Sequence, residues 1–298
     1  MAEKINLKLI SVAALAVILL ILIHPGFEKN LKERPLYEKL GYTPQGKFYK
    51  IALGEFRWFV GQYLAFKSII YYGGNVENIK RGRYKNVEYY NLYRTIETAA
   101  LLNPYHEDTY YFVQASFTWE IGRINEVNAI LKYMMKYRTW DYKIPYFLGF
   151  NYAYFLKDYK TAAHYYKIAS EISGTPLFTN LAARFFYEGG ETELGISHLE
   201  AMIKITRKES VKKIYETRLE ALKGVKKIED AIKVFYKEYG RYPADINELV
   251  EKGVLNIIPV DPYGGEFYLD ENKKVRTTSH FSFTMNNNTK EDESAESK

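Results

Sequence analysis

The residues best equipped for chemistry lie near the C-terminus, in the stretch VDPYGGEFYLDEN, Val260–Asn272. Asp261, Asp270 and Asn272 offer hard oxygen donors, and Gly264–Gly265 let a chain fold closely around a cation. Calcium takes six to eight oxygens, usually from alternate positions of a loop closed by a bidentate Glu. That alternating Asp/Asn series is missing. The same residues also build a tight reversal: the Asp261 carboxylate accepts backbone N–H groups, Pro262 fixes φ, and the glycines permit the return. A turn is the expected role, with a calcium loop as the alternative.

Other constellations are sparse. The five histidines, His24, His106, His164, His198 and His280, have no metal spacing such as HExxH. The chain contains no Cys, which excludes disulfides, zinc thiolates and cysteine nucleophiles. It carries no Gly-x-Ser-x-Gly elbow, phosphate loop or dinucleotide fingerprint. The expectation is a protein that is not an enzyme, with no cofactor, no metal and no small-molecule substrate. The formal charge is +6, but Lys and Arg are interleaved with Glu and Asp. A nucleic-acid binder concentrates such charge on one face, so no nucleic acid is expected. The one locally basic loop, Lys80–Lys85, reads as solvated surface.

Around these residues stand the elements that must position them. From Leu9 to Ile23 only Ser11 interrupts an apolar run. With Ile5–Lys8 it is just long enough for a bilayer, which needs about 20 residues. A buried core helix would keep a polar face, and a cleaved signal peptide would end in a small-x-small site. This run has neither and ends in Ile23-His24-Pro25. It reads as an uncleaved, single-pass anchor in the cytoplasmic membrane. Lys4 and Lys8 precede it, while Lys29, Lys32, Arg34 and Lys39 follow among glutamates, so the positive-inside count is ambiguous. The short basic tail favours a body outside the cytoplasm. Hydrophobic residues make up 47% of the chain, enough for a globular body.

That body is repetitive. Segments starting at Thr109, Ile144 and Leu177 align, with turns at Gly122, Lys157 and Gly190, a period of ~34 residues. After each turn, Val127, Leu131 and Met134, then Ala162, Tyr166 and Ala169, then Gly195, Leu199 and Met202 fall on one helical face. Small residues there admit a paired helix, and large ones fill the next gap. DYKTAAHYYKIAS resembles the second helix of the tetratricopeptide repeat, with Ala115, Phe150 and Ala183 at the small position of the first helices and Gly149 one place early. A degenerate fourth copy precedes these: a first helix over Lys47–Gly74, ended by Gly73–Gly74, then YYNLYRTIETAALLNPYHED, which ends in Leu102-Asn103-Pro104 as such repeats commonly do. The alternative to repeats is an ordinary helical bundle.

After Thr206 a long helix is expected to bury Ile214, Leu219, Leu222, Val225, Ile228, Ile232 and Phe235 on one stripe and stop at Gly240. Asp245 is placed to cap a short helix that ends at Gly253, and Phe267, Leu269 and Val275 then mark a hairpin. Helix, Tyr-Pro, Leu, then Pro-x-Asp-Pro-Tyr-Gly and a hairpin resemble the C-terminal part of the major pseudopilins of type II secretion. Some of those bind calcium near their C-terminus, which is what keeps Asp261, Asp270 and Asn272 open. A prepilin carries Gly-Phe before its apolar helix; here Gly26-Phe27-Glu28 follows it.

The expected fold is therefore mainly α: a transmembrane anchor (1–27), an α-solenoid of tetratricopeptide-like hairpins (28–206), a long helix plus a pseudopilin-like α+β module (207–281), and a disordered acidic tail (282–298). The resemblance implies a membrane-anchored scaffold for a protein partner in envelope assembly, secretion or a pilus-like machine. The alternative is a structural subunit of an extracellular or pseudopilus-like assembly. In such arrays the first helices line a concave face. Alignment places Phe112, Ser116 and Trp119, then Phe147, Asn151 and Tyr154, then Asn180, Arg184 and Tyr187 there. Each trio is spaced 4 then 3, one exposed stripe apiece. The polar members would hold a peptide backbone and the rings would supply contact area.

Overall fold

The computed structural model describes residues 7–32, 40–80, 88–118 and 122–282. Trp119, residues 81–85 of the basic loop, the tail beyond Ser282 and the first six residues of the anchor lie outside the described residues. Among the described residues the chain forms twelve α-helices, one 3-10 turn and a two-stranded sheet. These divide into two compact units, Met1–Tyr137 and Arg138–Lys298.

The first unit begins with α1 (Leu7–Lys32), which runs through Pro25 and past the expected boundary at Phe27. Its 26 residues rise about 39 Å at 1.5 Å each, more than the ~30 Å of a bilayer core. Ser11–Glu28 is apolar enough to cross a membrane, and none of that window is buried. Next come α2 (Gly46–Ala52), the 3-10 turn Gly54–Phe56, α3 (Arg57–Lys80), α4 (Tyr89–Leu102), α5 (Glu107–Phe117) and α6 (Ile124–Met135).

The long first helix expected over Lys47–Gly74 is corrected at both ends. It breaks at Gly54, where φ is +50°, and it does not stop at Gly73–Gly74. Packing overrides the two glycines: Ser68, Tyr71 and Asn75 are buried, and Asn75 Nδ2 donates to the Tyr71 carbonyl at 2.7 Å. The Tyr71 hydroxyl accepts the Glu88 N–H at 2.7 Å and so fixes the start of α4. α4 ends before Asn103–Pro104, as expected.

The second unit contains α7 (Lys143–Tyr154), α8 (Tyr159–Ser173), α9 (Pro176–Glu188), α10 (Thr192–Ile205), α11 (Glu209–Tyr239), α12 (Ile246–Glu251), β1 (Phe267–Leu269) and β2 (Val275–Thr277). From α7 to α11 each helix packs on the next. The three aligned turn residues share one backbone state: φ is +66° at Gly122, +54° at Lys157 and +74° at Gly190. All nine residues expected on the second-helix seam are buried. The small position of the first helices needs correction. Ala183 is buried, but Ala115 is exposed and Phe150 only half-buried. In α7 the close approach is made by Gly149, where an added Cβ would lie 3.0 Å from the Tyr166 ring.

α11 stops at Gly240. Its inner stripe differs at the start: Ile214 is exposed, and Tyr215 and Arg218 are buried instead. The Asp245 carboxylate caps α12 by accepting the Glu248 N–H at 3.0 Å. β1 and β2 pair antiparallel, Phe267 opposite Thr277 and Leu269 opposite Val275. One apolar core joins Ala183 and Tyr187 of α9, Leu199 of α10, Leu222 and Val225 of α11, Leu249 of α12, and Phe267 and Val275 of the hairpin. Thr206 and Arg207 therefore mark no gap between a repeat core and a separate C-terminal core.

The left-handed turns set a prediction. A side chain at φ > 0 costs roughly 1–2 kcal/mol, so Gly190→Ala is expected to lose about that much, while Lys157→Gly is expected to lose nothing. Urea unfolding of both variants checks this. An unchanged midpoint for Gly190→Ala would show that the turn relaxes to another conformation.

Candidate functional site

The residues expected to line a groove do not form exposed stripes. In the first unit Phe112 and Ser116 are buried, with the Phe112 ring set edge-on against Tyr72 at 5.5 Å. In the second unit Asn151 is fully buried. Tyr187 is buried too, and its hydroxyl donates to the Val275 carbonyl of β2 at 2.6 Å. That ring therefore couples α9 to the hairpin and is not free for a partner. Phe147 and Asn180 are half-buried. Tyr154 and Arg184 remain at the surface. Tyr154 stacks on Phe150 at 5.5 Å with Lys157 Nζ over its outer face. The polar row of Ser116, Asn151 and Arg184 is thus reduced to one accessible member. The physical reason is that these helices are covered on more than one side, so a stripe adjacent to the seam is also inside.

A different concavity is well formed in the first unit. A cleft of about 430 Å³ lies between the start of α2, α4 and α6. Its apolar wall includes Ala100, Leu101, Ala129 and Ile130, and Tyr93, Arg94, Glu97 and Tyr133 supply polar groups. α4 presents Tyr90, Tyr93, Arg94 and Glu97 at spacings of 3 and 4, on one helical side. Arg94 is held by three acceptors: the Thr43 carbonyl at 2.9 Å from Nε, the Tyr90 hydroxyl at 3.1 Å and the Tyr42 hydroxyl at 3.3 Å. Tyr93 donates to Glu97 at 3.2 Å. Burial, with the Glu97 carboxylate second, pushes the Tyr93 phenol up to about 12. Burial also raises Tyr133, whose hydroxyl donates to the Leu101 carbonyl at 3.4 Å. At neutral pH both phenols are neutral, their protons given to Glu97 and the Leu101 carbonyl and their oxygens able to accept, beside one fixed cation and one carboxylate. Such a wall can seat an apolar side chain and hydrogen-bond the chain that carries it. The sequence signal was the aromatic and charged spacing on α4, but α2 and α6 come from distant positions and complete the cleft only in three dimensions.

The oxygen-rich C-terminal stretch resolves as a turn. Asp261 is buried. Its Oδ1 accepts the Tyr263 N–H at 3.0 Å, and its Oδ2 accepts the hydroxyls of Ser279, at 2.6 Å, and Thr277. Gly265 is required beside it, since an added Cβ would sit 2.8 Å from Asp261 Oδ2 and 2.6 Å from the Ser279 nitrogen. Asp270 accepts the Asn272 and Lys274 N–H groups, both at 2.9 Å, and Arg276 Nε at 2.9 Å. Each carboxylate therefore already accepts three protein donors. Among the described residues no group of three or more His, Cys, Asp or Glu comes together as a metal site. His198 is a packing residue: burial pushes it down to about 4, and its Nε2 lies 3.3 Å from Ser170 Oγ.

No family model, curated protein or solved structure matches the chain.

With Asp261 already coordinated by hydroxyls, millimolar calcium is expected to leave the melting temperature unchanged. Saturation at a hundredfold excess over Kd would add about 2.7 kcal/mol. A clear upward shift, abolished by Asp261→Ala, would contradict the turn assignment.

Proposed function

We propose that the chain is a membrane-anchored scaffold whose tetratricopeptide-like helical hairpins hold a peptide segment of a protein partner. It would act in envelope assembly, secretion or a pilus-like machine. α1 anchors it in the cytoplasmic membrane as a single span, with the body on the outer side, in line with the short basic N-terminal tail. It is a binding protein without catalytic chemistry of its own. The observation that carries the reading is the cleft between α2, α4 and α6, with its apolar wall and its Tyr93, Arg94, Glu97 and Tyr133 rim. Interfaces gain most of their energy from a few anchors seated in such pockets. Support for a repeat architecture comes from the shared positive φ at Gly122, Lys157 and Gly190 and the buried second-helix seam.

A second reading is a structural subunit of an extracellular, pseudopilus-like assembly that self-associates through the C-terminal module. Ile257 and Val260 favour it, since both are exposed just ahead of the turn, at 67% and 82%. Sedimentation separates the two: a mass that climbs with concentration supports assembly, and a fixed small mass supports the scaffold.

Selection from a displayed peptide library, using the full chain in nanodiscs, tests the scaffold directly. Peptides with an apolar anchor residue are expected. Ala129→Trp, which fills the cleft from an exposed position, is expected to weaken them at least about tenfold, or 1.4 kcal/mol. Arg184→Ala is expected to leave them unchanged. Peptides lost only on Arg184→Ala would move the binding face to the second unit. Peptides indifferent to both variants would contradict the proposal.

A further inference from the structure

α3 buries one side against the first unit and leaves the other without a charge. Between Arg57 and Val76 its exposed positions are Phe59, Gln62, Tyr63, Phe66, Ile70 and Gly73. The four large apolar members are 70%, 50%, 61% and 37% exposed. They are spaced 4, 3 and 4, so they form one continuous stripe on a single helical face. The preceding segment extends it: Phe48 is 65%, Ile51 87% and Phe56 75% exposed. A helix that faces only water carries charges on that side, and soluble monomers rarely expose a contiguous apolar patch of this kind. This face needs an occupant.

We propose that the exposed aromatic face of α2 and α3 is a second membrane contact, lying flat in the interfacial layer of the bilayer that α1 spans. Three observations select lipid over a protein surface. First, the residues are those of an interfacial helix: phenylalanine and tyrosine rings on the apolar side, with cations at the margins. Between Gly46 and Val76 the cations outside the buried side are Lys47, Lys50 and the half-buried Lys67 against a single acid, Glu55, while Arg57, with its Nε buried, turns inward. That surplus suits anionic headgroups. Second, the face is tethered. α1 ends at Lys32 and α2 starts at Gly46. The 13 residues between them, 33–45, reach at most about 45 Å when extended. The face is thereby confined to a thin shell over the membrane, and ordering it there costs little translational entropy. Third, the exposed rings are not needed for folding. The opposite side of α3, with Leu64, Ala65, Ser68 and Tyr71 buried, already holds the helix in place.

The inference rests on α1 as the anchor and specifies how the body is oriented beside it. With α2 and α3 lying in the interface, the chain touches the bilayer at two places, and the first unit cannot swing freely on its linker.

The absence of cysteine makes a direct test simple. Single substitutions Phe59→Cys, Phe66→Cys, Leu19→Cys and Asn125→Cys are labelled with an environment-sensitive fluorophore. All four sites are exposed, so the core is left intact. The full chain is reconstituted in vesicles of phosphatidylcholine and phosphatidylglycerol, with or without a nitroxide quencher at a shallow acyl position, and iodide is used as the aqueous quencher. The labels at 59 and 66 are expected to lose most of their fluorescence to the lipid quencher and to resist iodide. The label at 125 is expected to do the reverse. Iodide quenching at 59 and 66 would overturn the proposal by placing the face in water. Protection from both quenchers would overturn it in favour of a protein cover, a second copy or a partner. The label at 19, near the middle of α1, separates the two claims: if it is quenched by iodide while those at 59 and 66 are not, the anchor falls and the interfacial face stands.

Discussion

The second unit depends on how closely its elements approach one another. At three places a glycine lies under a neighbour's bulky side chain. An added Cβ would come within 3.0 Å of the Tyr166 ring at Gly149, 3.1 Å of Leu222 at Gly195 and 3.2 Å of Phe267 at Gly224. These contacts fall on α7 against α8, α10 against α11, and α11 against β1. Missing side chains let the backbones close, and a ring or branched chain fills the space, which restores crystal-like packing density. Tyr166 illustrates it: the ring lies over Gly149 and stacks on Phe185 at 5.3 Å, nearly parallel.

From that closeness the rest follows. Helices packed this tightly bury their polar neighbours as well, so Asn151 becomes an interior residue and Tyr187 a strut whose hydroxyl reaches β2. The hairpin is then held from several directions. Arg276 pairs with Glu188 of α9 and with Asp270 across the turn, and Arg218 of α11 donates to the Phe281 carbonyl at 2.9 Å between the rings of Tyr263 and Phe281. A C-terminal module with its own sequence character is thereby welded to the last helical hairpin. Function is sought in the first unit, at the cleft beside α4 and the aromatic side of α3.

Much of this was legible in the sequence, and the reasons are local. Helical periodicity placed the second-helix seam residue by residue, because Val127, Leu131 and Met134 need only their own helix to share a face. Gly122, Lys157 and Gly190 were found by spacing alone. The Asp245 cap and the hairpin itself were likewise short-range. What stayed hidden was long-range. Tyr187 and Val275 are 88 residues apart in the chain, and nothing in α9 announces that its last ring is claimed by a strand. Gly73–Gly74 looked like a helix stop because propensity favours one, and burial of Tyr71 and Asn75 overrode it. Several members of the groove trios are covered for the same reason: spacing defines a face but not what packs on it.

The seam is tested most directly by a double-mutant cycle on Gly149 and Tyr166, read by urea unfolding of the full chain. In a helix interior Gly→Ala ordinarily stabilises by about 1 kcal/mol, whereas forcing a methyl into a filled contact costs about 1–3 kcal/mol. Close packing at this point predicts a reversal of sign: Gly149→Ala destabilises when Tyr166 is present and stabilises in the Tyr166→Ala background, a coupling well beyond the ~0.5 kcal/mol of independent sites. Additive effects, with Gly149→Ala stabilising in both backgrounds, would contradict it.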